Sequence, residues 1–171
     1  MRSSKQKFCK GTRSVSNLQS FSFYSCESKG CKSCPYYNEA KKTFISSVSN
    51  RKYNVINHTK DNITCKTKNM IYLMTCKTCG VQYVGETGNS FSHRMNNHRS
   101  RMKHNKQGLL YRHSHCDEKN LELSDFKIQP IEIFQSEISA EERIRKEEWW
   151  MRELKTLYPY GLNDKCGNSF L

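Results

Sequence analysis

A pair of cysteines between two short apolar runs constrains the fold of this chain more than any other feature of its sequence. Cys76 and Cys79 lie in the link between residues 70–75 (MIYLMT) and residues 81–85 (VQYVG). The alternating pattern of these runs predicts two strands, and so short a link predicts an antiparallel hairpin. A Cys-x-x-Cys-Gly turn directs both thiolates toward one metal ion. We therefore expect a hairpin with half of a zinc site at its tip.

The overall cysteine usage also favours metal ligands over disulfide bonds. The chain has nine cysteines, and residues 1–17 contain no apolar segment of signal-peptide length. No stretch is apolar for long enough to cross a membrane, so we expect a reducing compartment, in which thiolates bind metal. Hydrophobic residues make up 35% of the chain, and the mean hydropathy is −0.87. We expect bound metal to stabilise a fold whose core does not run the whole length.

Two sets of ligands can be assembled from the cysteines and histidines, and both predict closed, structural zinc sites. The first set comprises Cys76, Cys79 and His113, with either His115 or Cys116 as its fourth member. The second set comprises Cys26, Cys31 and Cys34, with Cys65 as the nearest further thiolate and His58 as the alternative. The cysteines left over, which we expect to be free thiols, are Cys9 and Cys166.

The charge of the chain is distributed unevenly and predicts a polyanionic partner. The net charge is +13, with 21 Lys/Arg and four acidic residues in residues 1–115 but eight Lys/Arg and twelve acidic residues in residues 116–171. Each phosphate that a basic side chain neutralises releases a counterion, so a basic region of this size favours nucleic acid. An anionic membrane surface is the main alternative, but no basic amphipathic anchor supports it.

Two helices are predicted downstream of the hairpin. Apolar residues recur at helical spacing over residues 91–104, and either Asn89 or Ser90 is the expected N-cap. A capping box at residues 139–142 opens the second helix, which we expect to end near residue 157 ahead of a proline and a glycine.

The remaining pattern defines the fold class and the organisation of the chain. Residues 127–134 (KIQPIEIF) predict a third strand, in which Pro130 indicates an edge position or a bulge. The order of elements predicts a small α/β (α+β) domain over residues 69–171, with a three-stranded, mainly antiparallel sheet flanked by helices. Residues 21–68 predict a loop-rich zinc-binding linker, and residues 1–20 a flexible basic arm.

Several polar side chains of the main domain are placed to act on a phosphate. Tyr72 and Tyr83 lie in the paired strands, and Gly85 follows the second tyrosine, which lets backbone or substrate approach closely. Arg94 and His98 are four residues apart and share one helix face. A guanidinium can bind the charge of a phosphate while an imidazole donates a hydrogen bond. A solvated basic helix face is the alternative interpretation of these two residues.

The second helix places one carboxylate on its apolar side. The apolar stripe of this helix consists of Ala140, Ile144, Met151 and Leu154. Glu147 lies in the middle of the stripe, whereas Glu148 is predicted to face the polar side. A carboxylate that faces the core is costly unless it is paired or bound to metal. An ion pair with an arginine is one interpretation, and a Mg²⁺ ligand is the other, since Mg²⁺ often takes one carboxylate plus water and phosphate oxygens.

These residues, in this order, resemble the signature of the GIY-YIG nucleases. The signature is carried by Ile71-Tyr72, Tyr83-Val84-Gly85, Arg94, His98, Glu147 and Gly161-Leu162-Asn163. The segments YVGETGNSF, RIRKEEWWMRELKT and PYGLN further resemble the endonuclease domain of Penelope-like retroelements. In that branch a Cys-x-x-Cys pair lies between the two tyrosine motifs, and an upstream linker carries a cysteine cluster. The resemblance extends over residues 26–165.

The resemblance implies a catalytic role for each tyrosine and for the first helix. Water attacks the phosphodiester phosphorus, Tyr72 takes its proton, and Tyr83 orients the water or the phosphate, with the reverse assignment left open. Arg94 stabilises the charge of the phosphorane, and His98 hydrogen-bonds a phosphate oxygen or the Tyr72 hydroxyl.

The resemblance also implies cofactors and partners. Glu147 holds one catalytic Mg²⁺ or Mn²⁺, Asn163 positions Glu147 or the substrate, and Zn²⁺ is structural. The implied substrate is DNA, the implied partner is a reverse transcriptase in the same or an associated polypeptide, and the implied location is the nucleus. A zinc-stabilised DNA-binding module without cleavage activity is the alternative function.

The sequence departs from the family pattern at two points. Met70 stands where the name motif has its first glycine, at the head of a strand. The family's zinc pattern has two histidines downstream of the cysteine pair. His113 matches the first, but the second is displaced, which leaves His115 and Cys116 as candidates for the fourth ligand.

Overall fold

A four-stranded sheet with helices packed around it forms the centre of the fold. The computed structural model describes residues 21–59, 61–116 and 120–164. The strands are β1 (Phe23–Tyr24), β2 (Thr43–Ile45), β3 (Lys52–Asn54), β4 (Ile56–Asn57), β5 (Ile63–Thr64), β6 (Met70–Cys76), β7 (Gln82–Thr87) and β8 (Phe126–Ile133). The α-helices are α1 (Cys34–Glu39), α2 (Phe91–His104), α3 (Leu109–Ser114) and α4 (Ala140–Leu154). The predicted arm and the leftover thiols Cys9 and Cys166 lie outside the described residues.

The central sheet has the strand order β4-β8-β6-β7. β6 and β7 form the predicted antiparallel hairpin, in which Tyr72 pairs with Gly85, and β8 pairs antiparallel to β6 on the other side. The predicted α+β class is therefore confirmed. The sheet also contains β4, which pairs in parallel with β8 and comes from the predicted linker. Two residues are too few for an alternating pattern to reveal such a strand.

Pro130 lies at a bulge in β8, one of the two positions that its context predicts. Ile71 pairs with Glu132, whereas the next residue, Tyr72, pairs with Pro130, so Ile131 is the extra residue. Proline has no N–H to give to the ladder, and a bulge is one of the few places inside a sheet where this is tolerated. The bulge lies directly opposite Tyr72.

The two long helices begin where the sequence predicts. α2 starts after Ser90, whose hydroxyl accepts the backbone N–H of His93 at 3.3 Å. α4 starts after Ser139, which forms a reciprocal capping box with Glu142. In both cases a local hydrogen bond satisfies donors that the first turn leaves unpaired, so the start is visible in the sequence.

The predicted end of α4 near residue 157 is wrong. Lys155 adopts a left-handed conformation (φ 57°, ψ 45°) and terminates the helix after Leu154. The N–H of Thr156 then donates to the carbonyl of Met151 at 2.9 Å. This C-terminal motif usually contains glycine at the left-handed position, so a lysine gives no signal for it.

The buried core joins residues 21–68 to the rest of the fold. Phe44 of β2 packs edge-to-face on Trp150 of α4, with ring centroids 5.4 Å apart. Tyr37 of α1 packs on Phe91 of α2 in the same way at 5.0 Å. These residues belong to one apolar cluster, which extends further along the chain than its low hydrophobic content predicts. No helix within the described ranges is long and apolar enough to span a bilayer.

Candidate active site and metal centres

Tyr72 is the centre of the candidate active site. Its side chain is fully buried, and its hydroxyl accepts a hydrogen bond from Nε of Arg94 at 2.7 Å and lies 2.6 Å from Nε2 of His98. β6 positions the tyrosine, and one turn of α2 presents the other two side chains to it. A Cβ atom at Gly85 would overlap the Tyr72 hydroxyl, so the neighbouring strand requires glycine at this point.

The hydrogen bonds of Tyr72 constrain where the protons lie in the free protein. Arg94 donates to the Tyr72 oxygen, and the phenol O–H donates to Nε2 of His98 when that ring is the neutral tautomer protonated on Nδ1. Burial, together with the charges of Arg94 and Arg101, lowers the pKa of His98 to about 3. Burial also raises the pKa of Tyr72 well above its ordinary value. Nδ1 of His98 is buried and has no partner among the described residues.

Tyr83 lies beside this network at the wall of an open cleft. Its ring centroid is 6.5 Å from that of Tyr72 and 5.6 Å from that of His98. The cleft has a volume of about 210 Å³, and its walls include Tyr83, His98, Glu147 and Asn163. Tyr83 is half-buried, so its side chain is more accessible from the cleft than that of Tyr72.

Glu147 projects from α4 into the same cleft. Its Oε1 accepts the backbone N–H of Glu86 at 3.0 Å, and its Oε2 makes no hydrogen bond to a described residue. Burial raises the pKa of Glu147 to about 7, and the nearby Glu86 carboxylate adds to the effect. The carboxylate is therefore anchored at one oxygen and available at the other.

Glu148 does not face the polar side of α4 as predicted. It is half-buried, and its Oε1 is buried without a hydrogen-bond partner in the described part of the chain. Trp150 on the opposite flank of the stripe is also buried, at 2% exposure. The part of the α4 surface that is buried is therefore wider than the predicted apolar stripe. What distinguishes Glu147 is that it lines the cleft, which Glu148 does not.

Asn163 fixes the strand that carries Tyr83. Its Oδ1 accepts the backbone N–H of Val84 at 3.0 Å, and its Nδ2 donates to the Val84 carbonyl at 2.8 Å. Gly161 allows this tail to pack, because a Cβ there would overlap the Thr156 backbone. The side-chain amide is thus bonded to β7 and not to Glu147, which is one of the two partners that the resemblance implies; the other is the substrate.

The first cysteine cluster has the geometry of a tetrahedral metal site. The four sulfur atoms of Cys26, Cys31, Cys34 and Cys65 all lie within 4.8 Å of one another. Three of the sulfur–sulfur distances are 3.4, 3.5 and 3.7 Å, and Zn–S bonds of about 2.3 Å in a tetrahedron give roughly 3.8 Å. His58, the alternative ligand, is instead bonded through Nε2 to Glu132 at 2.9 Å.

The second cluster brings together Cys76, Cys79 and His113, whose ligand atoms also lie within 4.8 Å of one another. Of the two candidates for the fourth position, Cys116 lines the same surface cavity as Cys79 and His113. The His115 ring instead stacks on Tyr111 at 4.0 Å and lines a different cavity. The Cys116 thiol is not within the 4.8 Å group and donates to the His113 carbonyl at 3.1 Å, so the structure assembles three ligands and leaves Cys116 as the candidate that shares their cavity.

Two charged residues with notable surroundings were not identified from the sequence. Glu132 is 1% exposed, accepts a hydrogen bond from Trp150 at 2.7 Å and forms an ion pair with Lys146 at 3.3 Å, besides its contact with His58. A lone acid within an apolar strand was the available signal. Arg101 lines the cleft of the candidate active site, and its position seven residues after Arg94 was the signal for it.

The fold and the cleft together define a class of protein. The cleft is lined by Tyr83, His98, Arg101 and Glu147, and His98 contacts the buried Tyr72, which in turn contacts Arg94. Such a set of groups on a small α+β fold is typical of a hydrolase active site. A model of the GIY-YIG catalytic domain matches residues 68–160, more than half of the chain. The chain belongs to the GIY-YIG family. Comparisons with curated proteins and with solved structures give no significant match.

Proposed function

We propose that this chain is a divalent-metal-dependent endonuclease that hydrolyses phosphodiester bonds of DNA. The observation that carries the proposal is the Tyr72 hydroxyl, which contacts Arg94 at 2.7 Å and His98 at 2.6 Å beside the cleft. A phenol that touches both a proton acceptor and a cation is well placed to move a proton next to a bound phosphate.

In this mechanism Tyr72 takes the proton of the attacking water at Oη while its own proton moves to Nε2 of His98. Water attacks the phosphorus in line with the departing 3′ oxygen, and Arg94 stabilises the charge that develops on the phosphate oxygens. The pKa of His98 is low in the free protein because of burial and the nearby arginine charges. A phosphate bound beside those arginines offsets their charge, which makes His98 a better acceptor.

Glu147 fits the requirements of a Mg²⁺ or Mn²⁺ ligand. Its Oε1 is held by the Glu86 N–H, its Oε2 is available, and its pKa is raised by burial and by a like charge, both of which a cation would offset. The ion, when bound, polarises the phosphate and stabilises the leaving oxygen.

One observation favours the reverse assignment of the two tyrosines. Tyr83 lines the cleft, whereas Tyr72 is fully buried, so water reaches Tyr83 more readily in the free protein. Among the described residues, Tyr83 makes no hydrogen bond to a proton acceptor comparable to the short Tyr72–His98 hydrogen bond, and for that reason we assign the base to Tyr72.

We further propose that both cysteine clusters bind structural Zn²⁺. All four thiols of the first cluster point at a common centre, and the second joins the hairpin tip to α3 through His113. The first set supplies four ligands, and Cys116 would supply the fourth ligand of the second, so both sites are proposed as closed, structural sites.

The charge distribution and the family resemblance both bear on the biological setting of this chain. The basic character of residues 1–115 supports DNA as the partner. The resemblance to Penelope-like retroelements supports a role in the integration of a mobile element, together with a reverse transcriptase in the same or an associated polypeptide. Such a role takes place on nuclear DNA, and we propose a nuclear location on that basis.

The test of the proposed function is cleavage of supercoiled plasmid with Mg²⁺ by the wild-type protein and two matched variants. Glu147→Ala removes the available carboxylate oxygen and lowers the rate at least about a hundredfold, while DNA affinity stays nearly unchanged. Glu148→Ala removes the neighbouring carboxylate, which lies outside the cleft, and stays within a few-fold of wild type. DNA binding without any metal-dependent cleavage by the wild-type protein would instead identify a DNA-binding module.

A further inference from the structure

Arg101 occupies the same face of α2 as the residues of the candidate active site. Arg94, His98 and Arg101 follow one another at i, i+4 and i+7, so successive turns present them to one side. Arg101 lines the cleft of about 210 Å³ together with Tyr83, His98 and Glu147. Its charge is close enough to lower the pKa of His98.

The guanidinium of Arg101 is not used by the fold. The residue is exposed, and within the described ranges no hydrogen bond or ion pair to it is found. Arg94, by contrast, is half-buried and tied to Tyr72 through Nε. Asp164, an acid in the same cleft, lies 3.8 Å from Arg112. Arg101 therefore presents a guanidinium without a hydrogen-bond or ion-pair partner among the described residues at the wall of the cleft.

We propose that Arg101 binds a backbone phosphate that neighbours the phosphate to be cut. This inference rests on the proposed function, because its ligand is the same DNA strand. Seven residues of helix separate the Cα atoms of Arg94 and Arg101 by about 10 Å along the axis. Phosphates of one strand are spaced about 3.4 Å along the duplex axis, so the second contact would fall about three nucleotides away if α2 runs along that axis. A planar guanidinium fork suits two phosphate oxygens.

A contact of this kind acts mainly on binding. The neighbouring phosphate carries the same charge before and during the reaction, so the contact stabilises bound substrate and transition state alike. Removal of the side chain is expected to weaken DNA binding and to lower its salt dependence.

The first experiment measures DNA affinity against salt concentration, without added Mg²⁺, for the wild type and three variants. Arg101→Ala weakens binding about tenfold and reduces the salt slope by about 0.9, the value for one phosphate contact. Arg101→Lys retains the slope and recovers part of the affinity. Lys103→Ala removes the same charge from the opposite side of α2 and keeps the wild-type slope. Equal effects of Arg101→Ala and Lys103→Ala would overturn the proposal.

The second experiment locates the contact. A duplex centred on a preferred nick site carries a neutral methylphosphonate at one position after another, and single-turnover cleavage and binding are measured. At one position near the cut, the methylphosphonate should lower the affinity of the wild-type protein for the duplex. At the same position it should not lower the affinity of the Arg101→Ala variant any further. A penalty of the same size in both proteins at every position would contradict the contact. If the wild-type protein binds DNA but never cuts it, the proposed nuclease function fails, while the salt experiment still decides the Arg101 contact.

Discussion

The hydroxyl of Tyr72 illustrates how much of this site depends on a single atom. The phenol ring is held by packing, edge-on to Phe91 at 6.3 Å and to His98 at 5.6 Å, so its position does not depend on the hydroxyl. The oxygen alone links Arg94 to His98. Replacement of tyrosine by phenylalanine thus separates the chemistry of this residue from its packing.

We expect Tyr72→Phe to lower the single-turnover cleavage rate by at least about a hundredfold, because general-base catalysis contributes on the order of 10² to 10⁴. Tyr83→Phe, the matched control, should lower it by about tenfold, since that residue only orients the water or phosphate. Thermal unfolding of both variants should resemble that of the wild type. If Tyr83→Phe proves the more damaging change, the base is Tyr83.

Glu147 should reduce stability at the pH at which it functions. Its pKa in the folded protein is about 7, above the ordinary value of a glutamate, so folding favours the protonated form. Protonated Glu147 therefore adds to the free energy of unfolding. This stabilisation is fully present below about pH 4.5 and is lost as the pH rises through 7. Glu147→Gln should therefore be more stable than wild type at pH 8 by about 1–3 kcal/mol, while lacking cleavage activity.

The measurement is denaturant unfolding of both proteins at pH 5 and pH 8 without divalent ions. The two proteins should differ much less at pH 5, and added Mg²⁺ should narrow the difference at pH 8. A difference that is the same at both pH values would show that titration of Glu147 does not contribute to stability.

Among the elements, β7 depends on a side chain distant in sequence. Asn163 pairs with both backbone polar groups of Val84, in the strand that carries Tyr83 and Gly85. Asn163→Ala would leave a buried N–H and a buried C=O without partners, and we expect it to lower the free energy of unfolding by about 2–4 kcal/mol. The exposed Asn97 on α2 offers a control, because Asn97→Ala should be neutral or slightly stabilising.

The outcome also decides what Asn163 does for the reaction. Cleavage by Asn163→Ala should be partly recovered at low temperature, where the weakened strand is still folded. Normal stability combined with a complete loss of cleavage would mean that the amide acts on Glu147 or the substrate, as the family resemblance implies.

The elements that the sequence predicted are those whose causes are local. The starts of α2 and α4 follow from a capping hydroxyl, and the β6–β7 hairpin follows from alternating residues around a tight turn. The short elements β1 to β5, α1 and α3 were missed because they are stabilised by distant contacts, such as that of Phe44 with Trp150. The helix end at Lys155 was missed because its conformation lacks a compositional signal.

Like the secondary structure, the candidate site was predictable from the sequence where its causes are local. Spacing placed Arg94 and His98 on one face and Glu147 in the apolar stripe, and the structure brings all three to Tyr72 or its cleft. Spacing could not show that Tyr72 is the shared partner, since that depends on how α2 packs on the sheet. Spacing also misplaced Glu148, because the packing of other elements on α4 determines how much of the helix surface is buried.

At the scale of the whole molecule, the zinc content is the most direct test of the cysteine clusters. We expect about two zinc ions per chain by elemental analysis of protein purified under metal-replete, reducing conditions. Cys34→Ser should lose one ion, and Cys116→Ser should weaken retention of the other. His115→Ala, the matched control, should keep both. Protein without zinc would exclude both sites, and loss of zinc in His115→Ala would reverse the choice of fourth ligand.

The pairing of strand β4 limits where recombination can divide this chain without exposing its sheet. It belongs to the cysteine-containing segment in sequence but covers the edge of β8 in space, with the N–H of His58 donating to the Ile133 carbonyl at 2.9 Å. Recombination that joined a new partner at residue 68 would uncover that edge, together with the apolar surface beneath Tyr37 and Phe44. An open edge of this kind pairs with other chains. Gene shuffling that preserves this fold is therefore expected to transfer residues 56–57 together with the sheet edge that they cover.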